Sequence, residues 1–292
     1  MLNALSVDVE DYFHVEAFSS RINREDWHSY ECRVELNVDL TLEILSKRQT
    51  LATFFILGCV AEQYPRLVRK IADAGHEIGC HGYAHQRIHN QAPEDFREDF
   101  RTASLRIMDQ IQKPVHCYRA PSFSIVESTV WALDILAEEG IRIDSSIFPV
   151  KHDLYGIPDS ERFPYWHGAI FEFPLTTIRV GNINVGVGGG GYLRLLPYAF
   201  TRWAIRRINE VEKQPAMVYF HPWELDPGQP RISAPLRSRI RHYTNLKGMQ
   251  GKIERLLKDF RFTSVTDVCN QLQVYKNPAP GITEKSSIIQ SK

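Results

Sequence analysis

The sequence predicts an α/β chain folded as a barrel of parallel strands, on three observations. Short β-rich runs alternate with longer segments of helical period. Seven or eight such βα pairs can be counted along the chain. Chemically capable side chains gather where the predicted strands end, which in a βα barrel is a single face. Parallel strands joined by right-handed crossovers also permit an open doubly wound sheet. A nucleotide binder of that kind carries a glycine fingerprint at its first βα turn, whereas this turn reads DVEDYFHV, so the barrel is preferred.

Taken in order, residues 4–9 form the first predicted strand and 36–48 a helix. The apolar run LATFFIL (51–57) reads as a buried strand bounded by Gly58. Leu67, Ile71 and Ala74 lie at helical spacing within one helix over 60–75, with Gly75 as its C-terminal cap. A strand follows at 76–80. Pro93 suits a first helical position, and Phe96, Phe100, Ala103, Ile107 and Ile111 repeat every three or four residues behind it. Strands at 115–120 and 141–146 flank a helix marked by Val130, Leu133 and Ala137 and closed by Gly140. After an irregular stretch at 148–168 come strands at 170–176, 217–221 and 262–265, with helices at 199–212 and 246–260 between them. The glycine-rich VGVGGGGY (185–192) lacks either phosphate-loop form and reads as a close-packed turn or a mobile loop. Residues 277–292 read as a frayed, disordered tail.

Composition narrows the function. Thirty-five Lys and Arg balance thirty-five Asp and Glu in 292 residues, so there is no basic excess for a nucleic acid. The longest largely apolar run, 51–61, has eleven residues where a spanning helix needs about 20. The N-terminus shows no basic segment or apolar h-region, so a cytoplasmic protein is expected, with peripheral residence at the inner membrane face as a variant. Five cysteines without a CxxC pair fit reduced thiols.

The chemistry collects at strand ends: Asp8, Glu10 and Asp11, then His81 and His85, then Arg119, then His221. Two histidines four apart bring their imidazoles to one side of a helical turn, within reach of one divalent cation. Alone, the pair would be solvated loop residues; beside a carboxylate from the 8–11 cluster it makes a His-His-carboxylate set suited to a catalytic Zn²⁺ or related metal. One carboxylate can ligate while another takes a proton from water. Strand alternation puts Glu10 on the face of Asp8. Arg119 is well placed to hold a carboxylate ionised, and His221 to protonate a leaving amine. The bland readings are a helix cap, a surface cation and a structural histidine.

SVDVED, HGYAH, YRAPSF and VYFHPWE occur in order over residues 3–225, and the chain thereby resembles the polysaccharide deacetylases of the NodB-homology type, carbohydrate esterase family four. The resemblance implies a distorted (β/α)7 barrel with a C-terminal extension: a barrel over 1–225, an extension packed on it over 226–276, and the tail 277–292. It implies a hydrolase that removes N-acetyl groups from N-acetylhexosamine units of a polysaccharide or oligosaccharide with one divalent metal, zinc first, cobalt or nickel as alternatives. By motif, Asp8 is the base, His221 the acid, Arg119 the residue orienting the base, and His81 and His85 metal ligands. The carboxylate ligand is Asp11 by preference and Glu10 otherwise, since adjacent aspartates are replaced here by Asp8-Val9-Glu10-Asp11. Tyr118, Pro121 and Trp223 are expected at the substrate, with a backbone N–H near Tyr118 facing the oxyanion. Phe123 replaces a usual glycine and the tryptophan expected near Asp144 is missing; Asp144 is the expected partner of His221. DVEDYFHV, IDSSIFP and GGGGYLRLLP are similar to a subgroup tied to exosortase/PEP-CTERM exopolysaccharide loci. The rival readings are an amidohydrolase acting on a small amide or cyclic imide, a noncatalytic polysaccharide-binding barrel, and a glycosidase, which would leave HGYAH without a use.

Overall fold

A curled parallel sheet surrounds a buried polar centre in the computed structural model, which describes residues 1–152 and 155–276. Strand β1 (Leu2–Val9) is buried from Asn3 onward. Helix α1 (Val34–Ser46) leads to β2 (Thr53–Ile56), then α2 (Gly58–Gln63), α3 (Pro65–Asp73) and β3 (Glu77–Cys80). Helix α4 (Pro93–Ile111), β4 (Cys117–Tyr118), α5 (Trp131–Glu138) and β5 (Ile143–Asp144) continue the alternation. Next come β6 (Tyr165–His167), β7 (Ile170–Glu172) and the hairpin β8 (Thr177–Val180) with β9 (Ile183–Gly186). Helices α6 (Gly190–Leu195) and α7 (Tyr198–Arg207) precede β10 (Met217–Phe220). The chain then forms α8 (Leu236–Tyr243), α9 (Leu246–Asp259), β11 (Arg261–Thr263), α10 (Val265–Cys269) and α11 (Gln273–Lys276).

The wall runs β10-β1-β2-β3-β4-β5-β7, seven parallel strands, with β6 antiparallel on the outer edge of β7. This is the distorted (β/α)7 barrel expected. Between β7 and β10 there is no ladder among the described residues; side chains and a glycine run close the gap. The Thr176 hydroxyl accepts from the Met217 N–H at 2.6 Å and donates to its carbonyl at 2.7 Å. Gly189 bridges Tyr219 beside it, and a Cβ there would sit 2.1 Å from the Tyr219 carbonyl oxygen. The glycines of 185–192 thus let backbone pass against backbone, which is the close-packed turn and not a phosphate cradle.

Helix α4 keeps its expected stripe, burying Phe96, Phe100, Ala103 and Ile107. The single helix expected over 60–75 is two. Tyr64 precedes Pro65 and is displaced to φ −125°, ψ 60°, because the proline ring crowds the preceding residue out of the α region; Pro65 then opens α3. Strands β4 and β5 pair over two residues each, shorter than the runs 115–120 and 141–146 that announced them. Residues 226–276 interlock with the wall: β11 pairs with β1 over Leu2–Ala4, α10 packs on β1, and α9 packs on the short turn 222–225 and on α6. The expected tail 277–292 lies outside the described residues.

Candidate active site

Three carboxylates leave β1 and the chain turns between them, so they separate. Asp8 and Glu10 face the barrel centre. The Glu10 carboxylate oxygen Oε1 lies 3.1 Å from His81 Nε2 and 3.0 Å from His85 Nε2, and all three residues are buried. Asp11, preferred from the sequence as the carboxylate of a metal set, is placed elsewhere. Its Oδ2 accepts from the N–H groups of Arg33 and Val34 at 2.6 and 2.9 Å and from the Cys32 thiol, and its Oδ1 accepts from the Tyr12 N–H. It therefore caps the first turn of α1, where orphan donors and the helix dipole favour an anion. The alternation that puts Glu10 beside Asp8 was the better guide.

His81 and His85 meet by a different route from the helical turn expected of HxxxH. Residues 81–85 form a bent loop, with Gly82 at φ +73° and His85 at φ +51°. The loop is pinned where the N–H groups of Gly58 and Cys59 donate to the carbonyls of Gly82 and Tyr83, and where the Tyr83 N–H donates to Asp99 Oδ2 at 2.9 Å. A left-handed histidine is a backbone cost that such pinning sustains. His81 Nδ1 lies 2.8 Å from the Arg119 carbonyl oxygen. A carbonyl can only accept, so Nδ1 carries a proton there, and Nε2 is the ring nitrogen turned to Glu10. Burial works against a charge on Glu10, but His85, His221 and His81 outweigh it and hold the carboxyl well below the usual range.

Arg119 is fully buried. One guanidinium nitrogen, Nη1, donates to Asp8 Oδ1 and Ser6 Oγ at 2.7 Å each; Nη2 reaches Ser145 Oγ and Nε the Ser145 carbonyl. The guanidinium lies over the Phe55 ring at 4.4 Å. Phe123, in place of the usual glycine, adds a second face at 5.7 Å.

His221 stands opposite, its Nε2 3.8 Å from Glu10 Oε1 and 4.0 Å from Asp8 Oδ2. Its side chain is 17% exposed while those of Asp8, Glu10, His81 and His85 are at 5% or less, so the site opens past His221. Its partner is Glu224: Oε2 lies 3.1 Å from His221 Nδ1 and accepts from the His221 N–H at 2.9 Å. Glu224 Oε1 accepts from Arg194 Nε at 2.5 Å. Burial disfavours the charge on His221, yet Glu10, Glu224 and Asp8 together lift it to about 9. Burial also disfavours the Glu224 charge, and Arg194 and His221 reverse it, to about 2. Asp144, the partner expected from the resemblance, instead accepts from Ser146 Oγ and N–H and is hydrogen-bonded to Glu172 across β5 and β7.

The three residues expected at the substrate lie in packing positions. Tyr118 is buried with its ring against Phe96 and Phe100 of α4, and its backbone sits inside the β4–β5 ladder. Pro121 is buried beneath Gly82. Trp223 is 3% exposed, stacked on His221 and on His242 at 5.1 and 4.2 Å. It supports the histidine from behind. Sequence reasoning missed Glu224, although H-x-x-E has the spacing of a capping box; Arg194 carried no signal, since its partner is thirty residues away.

The donor set fits a divalent cation. Two imidazole nitrogens and one carboxylate oxygen, within 4.8 Å of one another, are the ligand types of an open zinc-class site. The 3.0 and 3.1 Å separations approach the edge of roughly 3.3 Å that ligands at zinc-bond length span in a tetrahedron.

Residues 31–142 match the family model described as polysaccharide deacetylase, and residues 145–270 match one described as a domain of unknown function (DUF3473). The first segment holds His81, His85 and Arg119, the second His221, Glu224 and Arg194; Asp8 and Glu10 precede both. A peptidoglycan-N-acetylglucosamine deacetylase of Bacillus cereus is 39% identical over 56 residues, 19% of this chain and 20% of its own length. A chitooligosaccharide deacetylase of Bradyrhizobium is 26% identical over 96 residues, 33% of this chain and 42% of its own. The chain thus spans between a fifth and about two fifths of these curated relatives. The crystal structure of a candidate polysaccharide deacetylase from Mycobacterium smegmatis has a TM-score of 0.60 at 19% identity, covering 94% of this chain and 91% of that one. The fold is shared.

Proposed function

We propose, starting from the polysaccharide deacetylase family that the matched segment and the relatives support, that this chain is a metal-dependent hydrolase removing N-acetyl groups from N-acetylhexosamine units of a bacterial polysaccharide or its precursor. The observation that carries the reading is the convergence of Glu10, His81 and His85 between Asp8 and His221. Glu10, His81 and His85 would hold the ion, zinc by ligand type. When bound, such an ion supplies Lewis acidity, polarising an acetamido carbonyl and acidifying water. Asp8 takes the proton from the attacking water, with Arg119 fixing the carboxylate so that only Oδ2 faces His221. His221 gives a proton to the departing sugar amine and Glu224 fixes its ring. Asp11 serves the fold. The wording shared with exosortase-linked sequences supports an exopolysaccharide as the polymer.

The test is elemental analysis of the purified chain combined with acetate release from a panel of N-acetylated oligosaccharides. Glu10→Ala is expected to lower bound metal to background and activity by at least ~10³-fold. Full turnover in a metal-depleted Glu10→Ala protein would reject the reading.

A further inference from the structure

Helix α8 takes no part in this chemistry, yet its outward face is unusual. Leu236 and Ile240, four residues apart and hence neighbours on one helix face, are 69% and 56% exposed. Arg237, Arg239 and Arg241 flank them and are exposed as well. From 227 to 253 the chain holds four arginines and two lysines and no Asp or Glu, within a sequence where thirty-five Lys and Arg meet thirty-five Asp and Glu, so the remainder is net negative. Among the described residues, Tyr155 lies beside Arg241, and Tyr243 near Arg231 and Arg239. The inward side of α8 is fixed: His242 is buried and stacks on Trp223 at 4.2 Å and on Phe18 at 4.7 Å. Trp223 in turn stacks on His221, so α8 stands on the side of the molecule where the site opens.

We propose that α8 docks the protein on an anionic lipid surface, with Leu236 and Ile240 entering the headgroup boundary and Arg237, Arg239 and Arg241 pairing with lipid phosphates. A short helix with a positively charged surround and a central aliphatic pair has the chemistry of an interfacial anchor. A nucleic acid or a soluble anionic glycan would use the arginines and leave Leu236 and Ile240 without a role. The inference rests on charge and exposure, not on the deacetylase reading. It brings the mouth beside His221 close to the lipid, where a glycan carried on that surface would meet it.

Vesicle co-sedimentation of the full chain tests it, using mixed phosphatidylcholine–phosphatidylglycerol vesicles, pure phosphatidylcholine vesicles and soluble heparin. The expected result is binding to the mixed vesicles, little to the neutral ones, and a loss of ~10²-fold in Arg237→Gln/Arg239→Gln/Arg241→Gln, about fivefold per charge. Leu236→Ser/Ile240→Ser is expected to lose about tenfold on the mixed vesicles. Unchanged thermal unfolding of both variants shows that the fold is intact. Absence of binding to mixed vesicles, or binding that the serine variant leaves untouched, overturns the proposal; so does heparin binding as tight as vesicle binding. Acetate release from a soluble oligosaccharide by both variants reports on the deacetylase reading separately.

Discussion

Arg119 and Arg194 each pair with a buried carboxylate beside the Glu10 cluster, Asp8 at 2.7 Å and Glu224 at 2.5 Å, but different parts of the chain support them. Arg119 is satisfied by Ser6 within β1, by Ser145 just past β5 and by the Phe55 ring of β2, all inside the barrel. Arg194 reaches out of α6 to the carbonyls of His242 and Thr244 and lies over the Trp223 ring at 5.3 Å. The proposed base is therefore held by the sheet itself, the proposed acid by a segment that must first dock on the sheet. Breaking a buried pair from one side is costly whichever support it has, so what distinguishes the arms is where the damage spreads.

Kinetics should separate them most strongly. Asp8→Asn is expected to lower kcat by ~10³-fold on both an N-acetylated oligosaccharide and an activated aryl acetate, because either carbonyl must be attacked by deprotonated water. Glu224→Gln is expected to lower kcat by ~10²-fold on the amide and by under about tenfold on the aryl acetate, whose phenolate leaves without a proton. Equal losses on the two substrates in Glu224→Gln would mean that Glu224 only supports the fold and that the acid arm is not an arm at all.

Stability comes next. Arg119→Met leaves Asp8 buried without its guanidinium, at about 3–5 kcal/mol, and Arg194→Met leaves Glu224 with His221 as its remaining partner, at the lower end of that range. For a chain of this size that is roughly 10 °C in Tm. The comparison is sharpened by limited proteolysis: Arg194→Met is expected to expose 226–245 to cleavage while the wall strands stay protected, whereas Arg119→Met loosens both together. Cleavage confined to neither region in Arg194→Met breaks the distinction.

Acid should act on the second arm first. Burial lowers His242 to about 3 and His14 to about 3; His242 joins residues 223–243 to the loop after β1, and His14 packs on Trp27 within that loop. The unfolded chain, with histidines near 6.5, binds protons that the folded one refuses, so this contribution is present above ~6.5 and is lost as the pH falls toward 3. Glu224 adds in the same direction, its contribution present above about 4.5 and lost as the pH falls through about 2. His221 runs the other way in the metal-free chain: raised to about 9, it stabilises fully below ~6.5 and ceases to as the pH rises through about 9. Hydrogen exchange of the metal-free chain is expected to show α8 and the 11–33 loop opening between pH 6 and 4, before β2 and β3. Simultaneous opening would mean that protonating His14 and His242 does not release the loop and α8 first.

How much of this was legible follows the same division. The wall strands and α4 were readable because burial on one face imposes a period that any local window reveals, and the polar residues at their ends marked the site by accumulation. Asp8, His81, His85, Arg119 and His221 converge as their strand ends required. Periodicity carries no record of pairings made across long loops: Arg194 with Glu224, Thr176 with Met217, and the hairpin β8–β9 folded inside what looked like one βα unit. Trp223 and Tyr118 misled for a related reason, since an aromatic next to a functional residue reads the same whether it faces substrate or braces its neighbour from behind. The helical reading of HGYAH failed at Gly82, whose positive φ lets the loop bend.

Asp11 tests that last kind of ambiguity at the smallest cost. It is adjacent to Glu10 in sequence, carries the same charge and was the favoured ligand, yet its carboxylate accepts from Tyr12, Cys32, Arg33 and Val34. Asp11→Asn keeps an acceptor for the α1 N-terminus and removes the charge that faces its dipole, so a loss of about 1 kcal/mol is expected, or ~2–4 °C in Tm. Metal content should stay at the wild-type level and kcat within about twofold, in contrast to Glu10→Ala, because the Glu10–His81–His85 separations do not depend on the Asp11 charge. Loss of metal from Asp11→Asn with Tm unchanged would exchange the two carboxylates: Asp11 would be the ligand, and the capping contacts a resting arrangement that the ion pulls apart.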